Sequence, residues 1–230
     1  LVNSERMKAD LITNVSHDLK TPLTSIINYV DLLKRENLQD ERAAEYIAVL
    51  DRKSQRLKTL ITDLIDANKI SSGNVTLDMT DLEFQSVLRM AIGEFEDRFE
   101  EIPLKPELQL TEKVMIRADG SQLWRVLENL LGNIVKYAKP ESTVHISLNV
   151  QEGMANAVFE NESAGKLLQS GEELGERFVR GDASRNSEGS GLGLSIAGNL
   201  TRLMGGRFSI HTEETTFRAE VAFPVSNQLQ

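Results

Sequence analysis

The chain has 230 residues, 40% hydrophobic and 27% charged, which is the balance of a globular protein long enough for two domains. A formal net charge of −9 disfavours nucleic acid or an anionic lipid surface as a partner. With no cysteine there can be no disulfide or thiolate metal site, and no apolar run reaches the roughly 18 to 20 residues that span a bilayer. No signal peptide is visible, and no direct membrane contact is expected from this stretch. The chain starts at Leu1 in mid-pattern without an initiator Met, so it is expected to be part of a longer protein.

From Asn3 to about Arg35, apolar residues recur at Ile12, Val15, Leu19, Leu23, Ile26, Val30 and Leu33, in alternating steps of three and four. This is the seam of a coiled-coil-like helix. A polar segment from Glu36 to Asp40 interrupts it, and a second seam follows at Ile47, Leu50, Leu57, Ile61 and Leu64, with Ser54 and Asn68 at positions that would otherwise be apolar. Two helices with a short connection predict an antiparallel hairpin. One hairpin cannot cover both stripes, so a homodimeric four-helix bundle is expected.

Within the first helix lies Ser16 to Ser25, SHDLKTPLTS. His17 stands beside Asp18, with Thr21 and Pro22 one turn on. A proline inside a helix removes an amide and clashes with the preceding turn, at about 3 kcal/mol or more. A lone His is most often a surface or satisfied side chain, but a loosened turn next to an imidazole and a carboxylate is a reactive grouping.

Ser71-Ser72-Gly73-Asn74 reads as a helix stop and hinge, which predicts a helical domain over 1–70, a hinge over 71–75 and a second domain over 76–230. In that second part Val75 to Met79 alternates like a strand and Leu82 to Phe99 has helical spacing. Short strands are predicted at Leu108 to Leu110 and Val114 to Arg117, then a helix from about Gly120 to Ala138 and a strand pair at His145 to Val150 and Ala155 to Glu160. A stretch rich in Gly, Ser and charge runs from Asn161 to Ser190. The end is a helix from Leu192 to Met204, stopped by Gly205-Gly206, and strands at Phe208 to Thr212 and Phe217 to Phe223. Mixed strands and helices without a regular βαβ repeat predict an α+β fold, one sheet packed against helices.

Three places in this part could carry chemistry. In ENLLGNIVKY, Glu128 to Tyr137, the residues Asn129, Asn133 and Lys136 fall three or four apart and share a helix face. That face reads as a solvated one or as a site where amide oxygens meet a hard cation such as Mg and the ammonium meets phosphate. In GSGLGLS, the residues Gly189, Ser190, Gly191, Leu192, Gly193 and Leu194 lead into the last helix, where a bare backbone and the helix start suit a phosphate. The segment ERFVRGDASR, Glu176 to Arg185, precedes it and carries Arg180 and Arg185, which on composition alone are surface charge.

Taken in order, these motifs resemble the catalytic core of a two-component sensor histidine kinase, over about Asn3 to Pro224. SHDLKTPLTS resembles the phosphoacceptor box, Glu128 to Tyr137 the asparagine box, and Glu176 to Ser195 the phenylalanine box, lid and glycine box. The implied fold is a dimerisation and phosphotransfer hairpin followed by an α/β sandwich of the histidine kinase, Hsp90 and gyrase ATPase type. ATP and Mg are implied, with Asn133 and Asn129 on the metal side, and Tyr137 and the glycine-box residues near the nucleotide. The resemblance also implies Phe178 as anchor of the lid, Arg180 at the terminal phosphate and Arg185 as a second candidate there. Most members have Asp-x-Gly-x-Gly after the strand, where this chain has Asn161-Glu162-Ser163-Ala164-Gly165. Asn161 can accept from the adenine amine through its carbonyl or donate through its amide. The missing first glycine is expected to stiffen the turn, leaving adenine binding weaker or less selective.

In related ATPases of this superfamily the residue matching Asn129 is a glutamate that activates water, and an amide cannot act as a general base. The implied reaction is therefore phosphoryl transfer to a waiting nucleophile, His17. A histidine with pKa about 6.5 is mostly neutral at cytosolic pH, and Asp18 would hold its other ring nitrogen. The implied next acceptor is an aspartate on a response-regulator receiver domain, and Asp18 with Thr21 matches a pattern tied to phosphatase activity toward it. The fragment would be the cytoplasmic portion of a bacterial membrane sensor. A water-hydrolysing ATPase and a non-enzymatic dimeric scaffold are the alternatives.

Overall fold

The computed structural model describes residues 23–35, 41–71, 75–167 and 193–226. The chain divides into two compact units between Val75 and Thr76. In the first, helix α1 covers 23–35 and α2 covers Glu41–Ser71. Leu23 and Val30 on α1 and Ile47, Ser54 and Ile61 on α2 are buried, each a heptad apart. Lys34 Nζ lies 2.6 Å from Asp51 Oδ2, which ties the end of α1 to α2. The alternate seam positions stay open: Ile26, Leu33, Leu50 and Leu57 are 43 to 50% exposed.

The second unit runs β1 (Met79–Glu83), α3 (Phe84–Glu94), α4 (Glu96–Glu101), β2 (Lys105–Leu110), β3 (Met115–Asp119), α5 (Gly120–Tyr137), β4 (Thr143–Gln151), β5 (Met154–Glu162), α6 (Gly193–Leu203), β6 (Arg207–Glu213) and β7 (Thr216–Pro224). Strands β1 and β3 form an antiparallel pair, and a five-stranded sheet has the order β2-β4-β5-β7-β6. Only β2 and β4 are parallel in it; the other neighbours are antiparallel. This is the expected α+β arrangement. Several strand bounds differ from the sequence reading, and two elements differ in more than their ends. The first strand is Met79–Glu83 rather than Val75 to Met79, and the helix read over Leu82 to Phe99 is broken at Phe95, where the backbone leaves helical geometry at φ −98 and ψ 1.

Period-two alternation turns Ala155, Ala157 and Phe159 of β5, and Phe217, Ala219, Val221 and Phe223 of β7, into the core. Against them α5 lays an apolar stripe of Leu123, Val126, Leu127, Leu130, Leu131 and Ile134, all at most 1% exposed. The stripe fixes which face of α5 is left for chemistry. The helix start is fixed by Asp119, 6% exposed. Its Oδ1 accepts from the Ser121 and Gln122 amides at 2.9 and 3.1 Å and from Ser121 Oγ at 2.7 Å, while Oδ2 accepts from the Asp78 amide at 2.8 Å. Burial opposes the charge on Asp119, but the Asp78 amide, the Ser121 hydroxyl and the Gln122 and Ser121 amides outweigh it and hold the pKa below the ordinary carboxylate value.

Helix α6 ends in a Schellman turn. Gly205 takes φ +80, its amide bonds Arg202 O and that of Gly206 bonds Thr201 O. Gly206 is also required by space, since a Cβ there would lie 2.7 Å from Ala222 O and from the Phe223 ring. The turn thereby seats β6 beside β7.

Candidate functional site

With the apolar stripe of α5 committed to the core, Asn129, Asn133 and Lys136 occupy the remaining partly exposed face at steps of four and three. Asn129 Nδ2 donates to Arg125 O one turn back at 2.8 Å, so the carboxamide is held in one orientation. Its Oδ1 is turned toward the first residue of α6, where a Cβ on Gly193 would lie only 2.8 Å away. A methyl at 193 would have to push the Asn129 carboxamide out of the orientation that its bond to Arg125 O holds. At the other end of the face, Lys136 Nζ sits 4.7 Å from the centre of the Tyr137 ring, a cation–π contact.

The end of β5 approaches from the sheet. Asn161 pairs in register with Val144 on one side and Phe217 on the other, and is 3% exposed. Its Nδ2 donates to Glu162 O at 3.1 Å. Its Oδ1 is the one buried side-chain oxygen or nitrogen among the described residues with no hydrogen-bond partner. A buried amide oxygen left so costs about 1 to 3 kcal/mol, a cost that a ligand's N–H would remove. Of the two uses open to Asn161 from sequence, the acceptor is left without a partner, while one of the two amide hydrogens is taken by Glu162 O.

Beyond Asn161 the chain is bound to the end of α5. Ser163 forms an isolated antiparallel bridge with Ala138, and the Ala164 amide donates to Tyr137 O at 2.9 Å. The Lys139 amide donates to Glu162 O at 2.8 Å, and Lys139 Nζ is 3.0 Å from Glu162 Oε1. Gly165 follows this anchored stretch and is partly exposed.

Of the residues singled out from sequence, Asn129, Asn133, Lys136, Tyr137, Asn161, Gly165, Gly193 and Leu194 are therefore described. The structure brings Asn129 against Gly193, and the end of α5 carrying Tyr137 against the segment just after Asn161. His17, Asp18, Thr21, Arg180, Arg185, Gly189, Ser190, Gly191 and Leu192 lie outside the described residues. Two supporting residues were missed. Asp119 was detectable, because an Asp immediately before an apolar-periodic stretch is a helix N-cap signal; Ser163 carried no local signal of its bonding.

Among the described residues no group of three His, Cys, Asp or Glu could hold a metal ion. A divalent cation here would rely on amide oxygens, on waters and on the oxygens of its substrate; Mg usually keeps several waters and shares its shell with substrate phosphates. No helix among the described residues is long and apolar enough to cross a membrane.

Comparison with known proteins agrees with this anatomy. Residues 7–73 match the His Kinase A (phospho-acceptor) domain, and residues 118–225 match the histidine kinase-, DNA gyrase B-, and HSP90-like ATPase family. The sensor protein VanSC of Enterococcus gallinarum is 30% identical over 96% of this chain and 62% of its own length. The sensor protein VanS of Enterococcus faecium is 28% identical over 95% of this chain and 58% of its own. The chain thus spans about three-fifths of these two relatives. Among solved structures, full-length ShkA in complex with AMPPNP superposes with a TM-score of 0.81 at 21% identity, covering 95% of this chain and 46% of ShkA. Acinetobacter baumannii histidine kinase AdeS gives a TM-score of 0.62 at 19% identity, covering 92% of this chain and 98% of that one. At those identities the structural likeness speaks for the fold. With a phospho-acceptor domain followed by an ATPase-like domain, the chain belongs to the histidine kinases, as their catalytic core.

Proposed function

We propose that this chain transfers the terminal phosphoryl group of ATP to His17 and then passes it to an aspartate on a response-regulator receiver domain. The observation that carries the nucleotide half is the buried, unpartnered Asn161 Oδ1 within a domain whose α5 also presents an amide and ammonium face. A 6-amino purine supplies the N–H that this oxygen lacks, whereas a 6-oxo purine would set two acceptors against each other. Adenine binding is therefore retained in this reading despite the absent glycine, and competition by GTP measures how selective the stiffer turn leaves it.

The residues fit a Mg-nucleotide. Asn133, with Asn129 as the second amide, would hold Mg, which supplies charge neutralisation at the phosphates. Lys136 would leave the Tyr137 ring for the phosphate chain, and Tyr137 and Gly165 would border the base. Gly189, Ser190, Gly191, Leu192, Gly193 and Leu194 would let the backbone approach the phosphates, with Arg180 and Arg185 neutralising the terminal one. Asp18 accepts a proton from one nitrogen of His17 and keeps the other as nucleophile. That nitrogen forms the bond to phosphorus as the bond to the ADP oxygen breaks. Since Asn129 cannot take a proton from water, transfer is favoured over hydrolysis. Asp18 and Thr21 would also support dephosphorylation of the regulator.

The assembly proposed is a homodimer through the hairpin, whose half-exposed Ile26, Leu33, Leu50 and Leu57 support a second copy packing there. The domains are taken as 1–70, a hinge at 71–75 and 76–230, in the cytoplasmic portion of a bacterial membrane sensor. Replacing Thr21 by Ala should leave labelling of His17 by ATP intact while slowing loss of phosphate from the regulator. Loss of both activities would count against the assignment of Thr21.

A further inference from the structure

Ser163 stands where the family turn carries a glycine, and the structure gives that serine a bond that glycine cannot make. We propose that Ser163 is a positioning residue for the nucleotide, a hydroxyl pin that fixes the end of β5 to the end of α5 and thereby holds the Asn161 acceptor in place. The inference rests on the reading of Asn161 as the adenine acceptor.

Tyr137 closes α5, and its carbonyl is among the last-turn oxygens for which the helix has no amide. Ser163 Oγ donates to it at 3.3 Å, beside the Ala164 amide at 2.9 Å. From the other side, the Ser163 amide donates to Thr215 O at 2.7 Å and the Leu167 amide to Glu214 O at 2.8 Å, both in the turn between β6 and β7. The stretch 162–164 is thus held between α5 and that turn, and Ser163 is 8% exposed. Asn161 and Ser163 are both buried with the exposed Glu162 between them, so the two side chains share one side of the strand. Whatever fixes Ser163 against α5 fixes the path of Asn161 two residues before it.

A glycine at 163 could keep the backbone bonds but would lose the hydroxyl bond and widen the backbone freedom of the turn. The family residue should therefore make this protein worse at holding ATP. A serine present only because the position tolerates it would predict no loss, or a gain.

The test is calorimetric titration of the chain with a non-hydrolysable ATP analogue and Mg, comparing wild type with Ser163→Ala, Ser163→Gly, Ser163→Thr and Asn161→Ala. Losing one neutral hydrogen bond should raise Kd about 3- to 10-fold in Ser163→Ala and at least as much in Ser163→Gly, with Ser163→Thr within about twofold of wild type. Autophosphorylation should show KM rising and kcat unchanged, because the pin touches no reacting atom, and without nucleotide the melting temperature should fall in Ser163→Ala by no more than one neutral hydrogen bond accounts for, with Ser163→Thr retaining it. Tight binding by Ser163→Gly together with weak binding by Asn161→Ala overturns the pin alone. Unchanged binding by Asn161→Ala overturns the adenine reading, and the pin with it.

Discussion

The two units bury their apolar residues in different ways. In the second, Phe84, Leu123, Leu127, Phe159 and Phe223 are fully enclosed, and the sheet closes on α5 within one chain. Among the described seam positions of the hairpin, Leu23, Val30, Ile47 and Ile61 are buried, while Ile26, Leu33, Leu50 and Leu57 are not. Among the described residues, one unit encloses its large apolar side chains and the other leaves alternate seam positions open. The open positions fit the proposed dimer, in which a second copy covers them, whereas the described apolar residues of the ATPase-like unit are covered within that unit.

The sharpest way to break this contrast is to put charge on the open seam. Leu50→Asp combined with Leu57→Asp should convert the proposed dimer to monomer in sedimentation, and the hairpin's melting transition should fall while that of the second unit stays in place. A dimer that survives would place the second surface elsewhere. The converse experiment is Phe159→Ala, which should cost the second unit about 3 to 5 kcal/mol in denaturant unfolding and leave dimerisation untouched. Coupled loss of both would contradict the independence of the two cores.

A smaller effect is expected at the seam between α5 and α6. Gly193→Ala drives a methyl against Asn129 Oδ1 and should destabilise by about 1 to 3 kcal/mol and weaken ATP binding. Adding Asn129→Ala to it should recover part of the stability, and strict additivity of the two changes would refute the contact. The smallest effect is at Asp119, where Asp119→Ala should cost about 0.5 to 2 kcal/mol. Because the folded carboxyl has a pKa below its unfolded value, its contribution is full above the unfolded value of about 3.9 and is lost as pH falls through the folded one. Unfolding of wild type and Asp119→Ala should therefore converge in strong acid, with a constant gap from pH 5 to 7.

The sequence pattern announced what depends on spacing. The amide and ammonium face of α5 was readable because Asn129, Asn133 and Lys136 recur at helical intervals among core leucines. The same regularity misled at Phe95, since Leu88, Ile92, Phe95 and Phe99 are all buried on one continuous helical spacing although the backbone turns at Phe95. Edge strands were read short. Lys105 to Glu107 lie on an exposed edge with Pro106 among them, and neither burial nor alternation marks them. The unpartnered oxygen of Asn161 and the bond from Ser163 to Tyr137 depend on contacts between residues far apart in sequence. No local pattern could encode them.

The most direct measurement of the central claim is incubation of the chain with radiolabelled ATP and Mg, comparing wild type with His17→Gln. The account predicts an acid-labile, alkali-stable phosphoprotein in wild type and none in the variant. A label that persists in His17→Gln, or steady ATP hydrolysis with no phosphoprotein in wild type, would contradict it.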